Sequence, residues 1–258
     1  MGSTRPRRRA SSRSSRNNEV YEEIPRRLAS IRDKIADAAG RSGRTPADVR
    51  LIAVSKTHPI DAIRAAAEAG QRDFGENKVQ EALQKIAQST DTDLHWHLIG
   101  HLQSNKARKA AGAVHVIHAI DSVDLLRKVD EGAAAAGRRI EVMVQVDLAL
   151  EDTKFGAAEA DVPAIFEAAA GCTAATLTGL MLLPPVAENP EDARPWFVRL
   201  RGLRDRLRDA GVPGEQLREL SMGMSHDFAV AVEEGATMVR VGTAIFGERN
   251  YAAVAKNE

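Results

Sequence analysis

Between residues 51 and 250 the chain repeats one two-beat unit eight times: a short apolar run, then a longer amphipathic stretch. The apolar runs fall at 51–55, 72–74, 95–99, 114–119, 140–147, 176–183, 217–221 and 238–241, and helical periodicity follows at 59–69, 77–88, 104–111, 122–136, 161–170, 190–210, 226–234 and 243–250. Alternation of this kind predicts a parallel sheet covered by helices. The eightfold count predicts closure into a single (β/α)8 TIM-type barrel of the α/β class. A doubly wound open sheet is the competing arrangement. Polar residues of interest lie near both ends of the repeat, which favours closure, because a closed barrel sets its first strand beside its last. The run at 72–74 is short and partly polar. With 43% hydrophobic but only 4% aromatic residues in 258, the core is filled by Ala, Val, Leu and Ile.

The first unit reads LIAVSKTHP over residues 51–59. From Leu51 to Ser55 both alternating sets are apolar or small, the pattern of a strand buried on both faces. Lys56 stands where that run stops, and Pro59 opens the helix. An amine held at the end of a buried strand loses hydration, which disfavours the ammonium form and lowers its pKa. The neutral amine can attack an aldehyde carbon. A strand-end lysine that reaches into water gives the same sequence, so the other strand ends must decide.

In a barrel, chemistry gathers past the carboxyl ends of the strands. Those positions hold Lys56, the GEN of 75–77, His97 with residues 100–105, Asp121, residues 147–154, the SMGMS of 221–225, and Arg240, Gly242 and Thr243. Gly223 lets backbone approach a ligand, and Ser221 and Ser225 offer hydroxyls; Ser225 or Asp227 also suits a plain helix N-cap. Gly242 and Thr243 stand where the free N–H groups of a following helix begin. Small polar residues on two consecutive strand ends, after strands seven and eight, are where barrels hold phosphate. Arg240 lies in the apolar run MVRV. It keeps its charge and needs a partner, either a neighbouring acid or an acceptor on a ligand.

The histidines read differently. His95, His97 and His101 form HxHxxxH, with His115 and His118 in the next strand. A zinc pair at His95 and His97 needs further ligands at the right spacing; strands five and six contain no histidine, and no metal is expected. Glu76, Asp147, Glu151 and Asp152 fix no acid/base pair, since separation along the chain sets no distance. Cys172 reads as a small packing residue.

Residues 1–18 hold six arginines, many serines and no acid. They are expected to be a disordered arm, ahead of a barrel domain over 19–258. A helix over 19–39 precedes the first strand, with Val20, Ile24, Leu28, Ile31 and Ile35 on one face and Pro25 as its possible start. Outside the arm 30 basic residues face 36 acidic ones, which gives no reason to expect nucleic acid there. One cysteine precludes an internal disulfide and fits a reducing compartment. No apolar stretch approaches a membrane-spanning length.

The motifs AVSKTHP, FGENKVQE, WHLIGHLQSNKAR, GLMLLPP and LSMGMSHDFAVAVEEGATMVRVGTAIFG resemble those of the pyridoxal phosphate homeostasis proteins, single-domain relatives of bacterial alanine racemase, over about residues 19–251. By position, the resemblance implies that Lys56 holds pyridoxal 5'-phosphate (PLP) as an internal aldimine and that Arg240 faces the pyridine nitrogen. It implies that Ser221, Ser225, Gly242 and Thr243 bind the phosphate, with Met222, Gly223 and Met224 lining the loops, and that Asn77 and His97 stand beside the cofactor. An arginine partner favours an unprotonated ring nitrogen and weakens the electron sink that an aspartate would strengthen. The resemblance also implies a cytoplasmic, monomeric protein that buffers PLP and delivers it to PLP-dependent apo-enzymes. Leu98 and Asp147 depart from the family's usual Phe and Asn, and the arginine arm has no counterpart in its pattern.

Alanine racemase adds a β-rich second domain and a tyrosine base on the far face of the cofactor. This chain is expected to lack that domain, and its two tyrosines, Tyr21 and Tyr251, fall at the edges of the barrel region. A carrier without efficient catalysis is therefore expected, with a low-activity PLP-dependent racemase or lyase as the alternative.

Overall fold

A computed structural model describes residues 11–89, 93–149 and 155–248. The strands are β1 (Arg50–Val54), β2 (Asp73–Glu76), β3 (His95–Leu98), β4 (Val116–Ile120), β5 (Ile140–Asp147), β6 (Ala157–Ala158), β7 (Ala175–Met181), β8 (Glu219–Met224) and β9 (Met238–Val241). The helices are α1 (Ser11–Arg41), α2 (Ile60–Glu68), α3 (Val79–Gln88), α4 (Ala107–Ala111), α5 (Val123–Ala135), α6 (Val162–Ala169), α7 (Arg194–Asp209), α8 (Phe228–Glu233) and α9 (Thr243–Phe246). Every strand pairing is parallel. β1 lies between β2 and β9, and β4 also pairs β5, so eight strands close on themselves. That pairing removes the open-sheet alternative. The two-residue β6 adds only a short rung beside Val146 and Asp147 of β5.

The register sorts residues to two faces, because partners in a parallel ladder point the same way. Val54 pairs Gly75 and Ile52 pairs Arg240. Asp73 pairs His95, and Gly75 pairs His97, which in turn pairs Val116. This set lines the barrel interior. Besides Val54 and Val116, its apolar part includes a small cluster of Ile52, Met143 and Met238; polar side chains make up much of the rest. The alternate set, including Leu51, Ala53, Phe74, Trp96 and Ile117, joins the main core under the helices. Each such large side chain contributes about 1.5–3 kcal/mol on burial.

β2 extends one residue pair beyond the expected 72–74, through Gly75 and Glu76. Gly75 faces inward, where an added Cβ would meet Ile52 Cγ2 at 3.0 Å, so the missing side chain marks close packing rather than a strand end. β8 likewise runs on to Met224 across a register shift between Ser221 and Met224. Gly223 there has φ 90°, and a Cβ would sit 2.5 Å from that of Ala231.

α1 buries Ile24, Leu28, Ile31 and Ile35 against α2, α8 and α9. It passes through Pro25 rather than starting there; the surrounding turns and the buried stripe outweigh one lost hydrogen bond. It begins at Ser11, inside the stretch expected to be a disordered arm. Arginine is a good helix former, and adding turns to an anchored helix needs no new nucleus. Residues 1–10 of the expected arm lie outside the described residues. Among the described residues no helix is long and apolar enough to cross a membrane.

Candidate functional site at the barrel mouth

Lys56 follows β1 by two residues and is half-buried, next to the fully buried Ser55. The turn that carries it is held from beneath. Ser55 N–H donates to the Gly75 carbonyl (3.0 Å) and Ser55 Oγ–H to Glu76 Oε1 (2.6 Å). Lys85 Nζ, from the core-facing side of α3, donates to the Ser55 carbonyl, Glu76 Oε1 and Glu81 Oε1, each at 2.7 Å. Glu81 Oε1 also accepts from Thr57 N–H (2.5 Å). Thr57 has φ 67°, a conformation that a β-branched residue adopts only under constraint. Burial pushes the Glu76 carboxyl up to about 7, against the pull of Lys85.

Lys56 opens onto a cavity of about 640 Å³ at the carboxyl ends of the strands. Six of the ten residues singled out from the sequence line it: Lys56, Asn77, Ser225, Arg240, Gly242 and Thr243. Ser225 caps neither flanking helix; its Oγ accepts from Gly242 N–H (3.1 Å) and ties the loop after β8 to the loop after β9. Asp227 Oδ1 accepts from Met224 N–H (2.5 Å) within the same loop. Among the described residues nothing accepts from the N–H groups of Thr243 and Ala244, the first of α9. Arg240 is 3% exposed. One of its terminal nitrogens donates to Ser221 Oγ (2.5 Å) and the other to the Leu182 carbonyl (2.8 Å). Burial lowers its pKa to about 10, with Asp227 pulling the other way, so it remains a cation at neutral pH.

The other four stand back from the cavity lining. Ser221 is buried behind Arg240, Met222 packs in the main core, and Gly223 packs on Ala231 and Phe228. His97 lies toward the opposite end of the strands, lining a second cavity of about 460 Å³ with Arg50, Asp73, His95 and His115. Its Nε2 is 2.9 Å from Asp73 Oδ1, and its Nδ1 is 2.9 Å from His118 Nε2. Among the described residues no group of three or more His, Cys, Asp or Glu has metal-holding geometry. Sequence reasoning placed His101 at the mouth within residues 100–105 but missed Gln145, Leu183 and Phe155, whose ring stacks on that of His101 at 3.7 Å on the rim. Residues 150–154 of the expected loop after strand five lie outside the described residues.

The arrangement places one amine, one buried guanidinium and a cluster of small residues with free N–H groups around a single space. That donor set suits a ligand with a carbonyl, a ring acceptor and an anion.

The pattern of the alanine racemase N-terminal domain matches residues 27–250. The pyridoxal phosphate homeostasis protein of Aquifex aeolicus is 42% identical over 226 residues, 87% of this chain and 98% of that one. The protein of the same name from Pseudomonas aeruginosa is 43% identical over 233 residues, 90% of this chain and 98% of that one. The structure of PipY from Synechococcus elongatus PCC7942 with PLP bound superposes with a TM-score of 0.77 at 43% identity, covering 87% of this chain and all of PipY. With likeness of this extent along nearly its whole barrel, the chain belongs to the family of pyridoxal phosphate homeostasis proteins, built on the alanine racemase N-terminal fold.

Proposed function

We propose that the protein binds PLP in the mouth cavity and buffers or delivers it within the cytoplasm, without efficient turnover of amino acids. The observation that carries this reading is the convergence of Lys56, Arg240, Ser225, Gly242 and Thr243 on one space. PLP supplies an aldehyde to which a neutral primary amine attaches with loss of water, and an anionic phosphate. Lys56 offers the amine. Ser225, Gly242 and Thr243 stand where the phosphate is held, and Asn77 adds a polar edge. Arg240 has donors and no acceptor, so beside the ring nitrogen of bound PLP it would favour the unprotonated form and a poor electron sink. Ser221, Met222, Gly223 and His97 act from behind this first layer.

What supports a carrier over a racemase is the want of a tyrosine base at the mouth among the described residues, where the imidazoles of His58, His101 and His226 share the lining with Lys56. Among the described residues no tyrosine lines the mouth: Tyr21 lies on α1 beside Pro25 and Glu68, and Tyr251 is outside them. Apo-enzymes that need PLP are the natural recipients. The protein acts as a monomer in this reading.

The test is direct. PLP added to purified protein and followed by desalting leaves a visible absorption band, and borohydride reduction places the cofactor's mass on the peptide containing Lys56. Lys56→Ala abolishes both. A colourless protein after desalting overturns the reading. Racemisation or cleavage of single L-amino acids at about one turnover per second or faster replaces the carrier with an enzyme.

A further inference from the structure

A line of hydrogen bonds crosses the barrel interior between its two cavities. Asp73 Oδ1 is 2.9 Å from His97 Nε2, His97 Nδ1 is 2.9 Å from His118 Nε2, and His118 Nδ1 is 2.9 Å from Ser221 Oγ, which accepts from Arg240. The five residues come from β2, β3, β4, β8 and β9. β4 and β8 are separated by β5 and β7 in the sheet, so the His118–Ser221 contact spans the interior between strands that do not pair. His97 is 1% exposed, and His118 and Ser221 are fully buried. No water is needed to complete the line.

The chemistry of its ends fixes its direction. Arginine can only donate and a carboxylate can only accept. From the Arg240 end, Ser221 Oγ accepts and its proton turns to His118 Nδ1. A neutral His118 then carries its proton on Nε2 and donates to His97 Nδ1, and His97 donates from Nε2 to Asp73. Starting from Asp73 gives the same assignment. Burial holds both histidines toward the neutral form. For Asp73, burial alone would raise the carboxyl, but the hydrogen bond from His97 and the charge of Arg50 keep it low and ionised. Turning any one member around would set two donors, or two lone pairs, face to face.

We infer that Asp73, His97 and His118 are positioning residues for Arg240: through Ser221 they form a one-way relay that keeps a lone pair aimed at the guanidinium, although none of the three lines the mouth cavity. With one nitrogen held by Ser221 and the other by the Leu182 carbonyl, the guanidinium keeps a single aim toward the mouth. The inference rests on the PLP reading for its consequence at the cofactor, but not for the relay itself.

Histidine ¹⁵N spectra of the cofactor-free protein at neutral pH read the relay without PLP. Both His97 and His118 should be neutral with the proton on Nε2; a proton on Nδ1 of either, or an imidazolium, overturns the inference. Asp73→Asn replaces the terminal acceptor with an amide that can donate, which frees the line to reverse. Both histidines should then gain the Nδ1–H form together. PLP should bind about three- to tenfold more weakly, the scale of one weakened charged hydrogen bond, with a shifted absorption band. Glu141→Gln, in the same far cavity but outside the line, should change neither. A His118 tautomer or a PLP affinity that ignores the Asp73 exchange overturns the positioning role. If the wild-type protein takes up no PLP, the binding proposal fails while the tautomers still decide the relay.

Discussion

Lys85 Nζ lies 2.7 Å from Glu76 Oε1 with both groups buried, directly under the turn that carries Lys56. The second carboxylate oxygen, Glu76 Oε2, has no partner among the described residues. Charging this carboxyl is therefore unfavourable in spite of the lysine. Its pKa rises on folding from an ordinary 4.5 to about 7. The folded state holds a proton over that interval that the unfolded chain has released. Stability from this group is thus fully present below pH 4.5 and is lost as pH rises through about 7. The loss is on the order of 3 kcal/mol at most. Glu76→Gln, which mimics the protonated form, should match the wild type near pH 5 and lack this decline. Urea unfolding at pH 5 and pH 8 checks it; equal pH slopes in the two proteins would count against the assignment.

Lys85→Met removes three donations at once. A buried carboxylate stripped of its partner usually costs about 3–5 kcal/mol. Here the carboxyl can take up a proton instead, so the loss should be nearer 2 kcal/mol at pH 6, the value of the missing hydrogen bonds, and larger at pH 8. The Ser55 carbonyl also loses its donor, so PLP should bind more weakly even where the fold survives. Denaturant titrations at both pH values and a PLP titration separate the two effects.

Thr57 occupies φ 67° one residue after Lys56. Asparagine tolerates that region far better than a β-branched residue and avoids the added chain entropy of glycine. Thr57→Asn should stabilise the protein by about 0.5–1 kcal/mol. Its backbone N–H bond to Glu81 is untouched, so PLP affinity should stay within about twofold. A lower midpoint in urea would show that the threonine side chain holds the turn.

The barrel was legible because the two-beat rhythm survives in every unit, including 95–99 and 238–241, where apolar side chains alternate with His and Arg. The strand-end residues Lys56, Asn77, Arg240, Gly242 and Thr243 could be placed at one mouth from topology alone. Two features were hidden. Lys85 sits among exposed-looking residues of an amphipathic helix, and only its spacing from Val79 and Ala82, core-facing residues six and three positions earlier, hints that it turns inward. His97 was grouped with residues 100–105 at the mouth, yet it lies inside strand three, where the level of a side chain depends on its position along the strand. It pairs with Val116 near the start of β4, below the mouth. Hydrogen bonds between residues such as His118 and Ser221, 103 positions apart, leave no local signature.

Gly223 tests how tightly the loop after β8 is built. Its φ of 90° disfavours any side chain, and a Cβ would press within 2.5 Å of Ala231. Gly223→Ala should destabilise by about 2–4 kcal/mol, combining backbone strain and overpacking. It should also weaken PLP binding, because Ser225 is displaced with the loop. Thermal unfolding with and without PLP reads both; a shift below about 1 kcal/mol would mean that the loop gives way freely.

Ser225 holds the two small-residue loops together through the Gly242 N–H. Ser225→Ala leaves that half-buried N–H to find water, which should cost about 1 kcal/mol of stability. The larger effect belongs to the ligand. The exchange removes a hydroxyl from the cavity wall and releases Gly242 from its aim. PLP affinity should fall by about tenfold, on the scale of a hydrogen bond to a charged group. Ser225→Thr restores the hydroxyl and should recover most of both losses. Because the site reads as a phosphate cradle, pyridoxal without its phosphate should bind the wild type and Ser225→Ala with nearly equal, weak affinity. If the exchange weakens pyridoxal as much as PLP, Ser225 supports the pocket's shape rather than the anion, and the phosphate assignment at this loop is wrong.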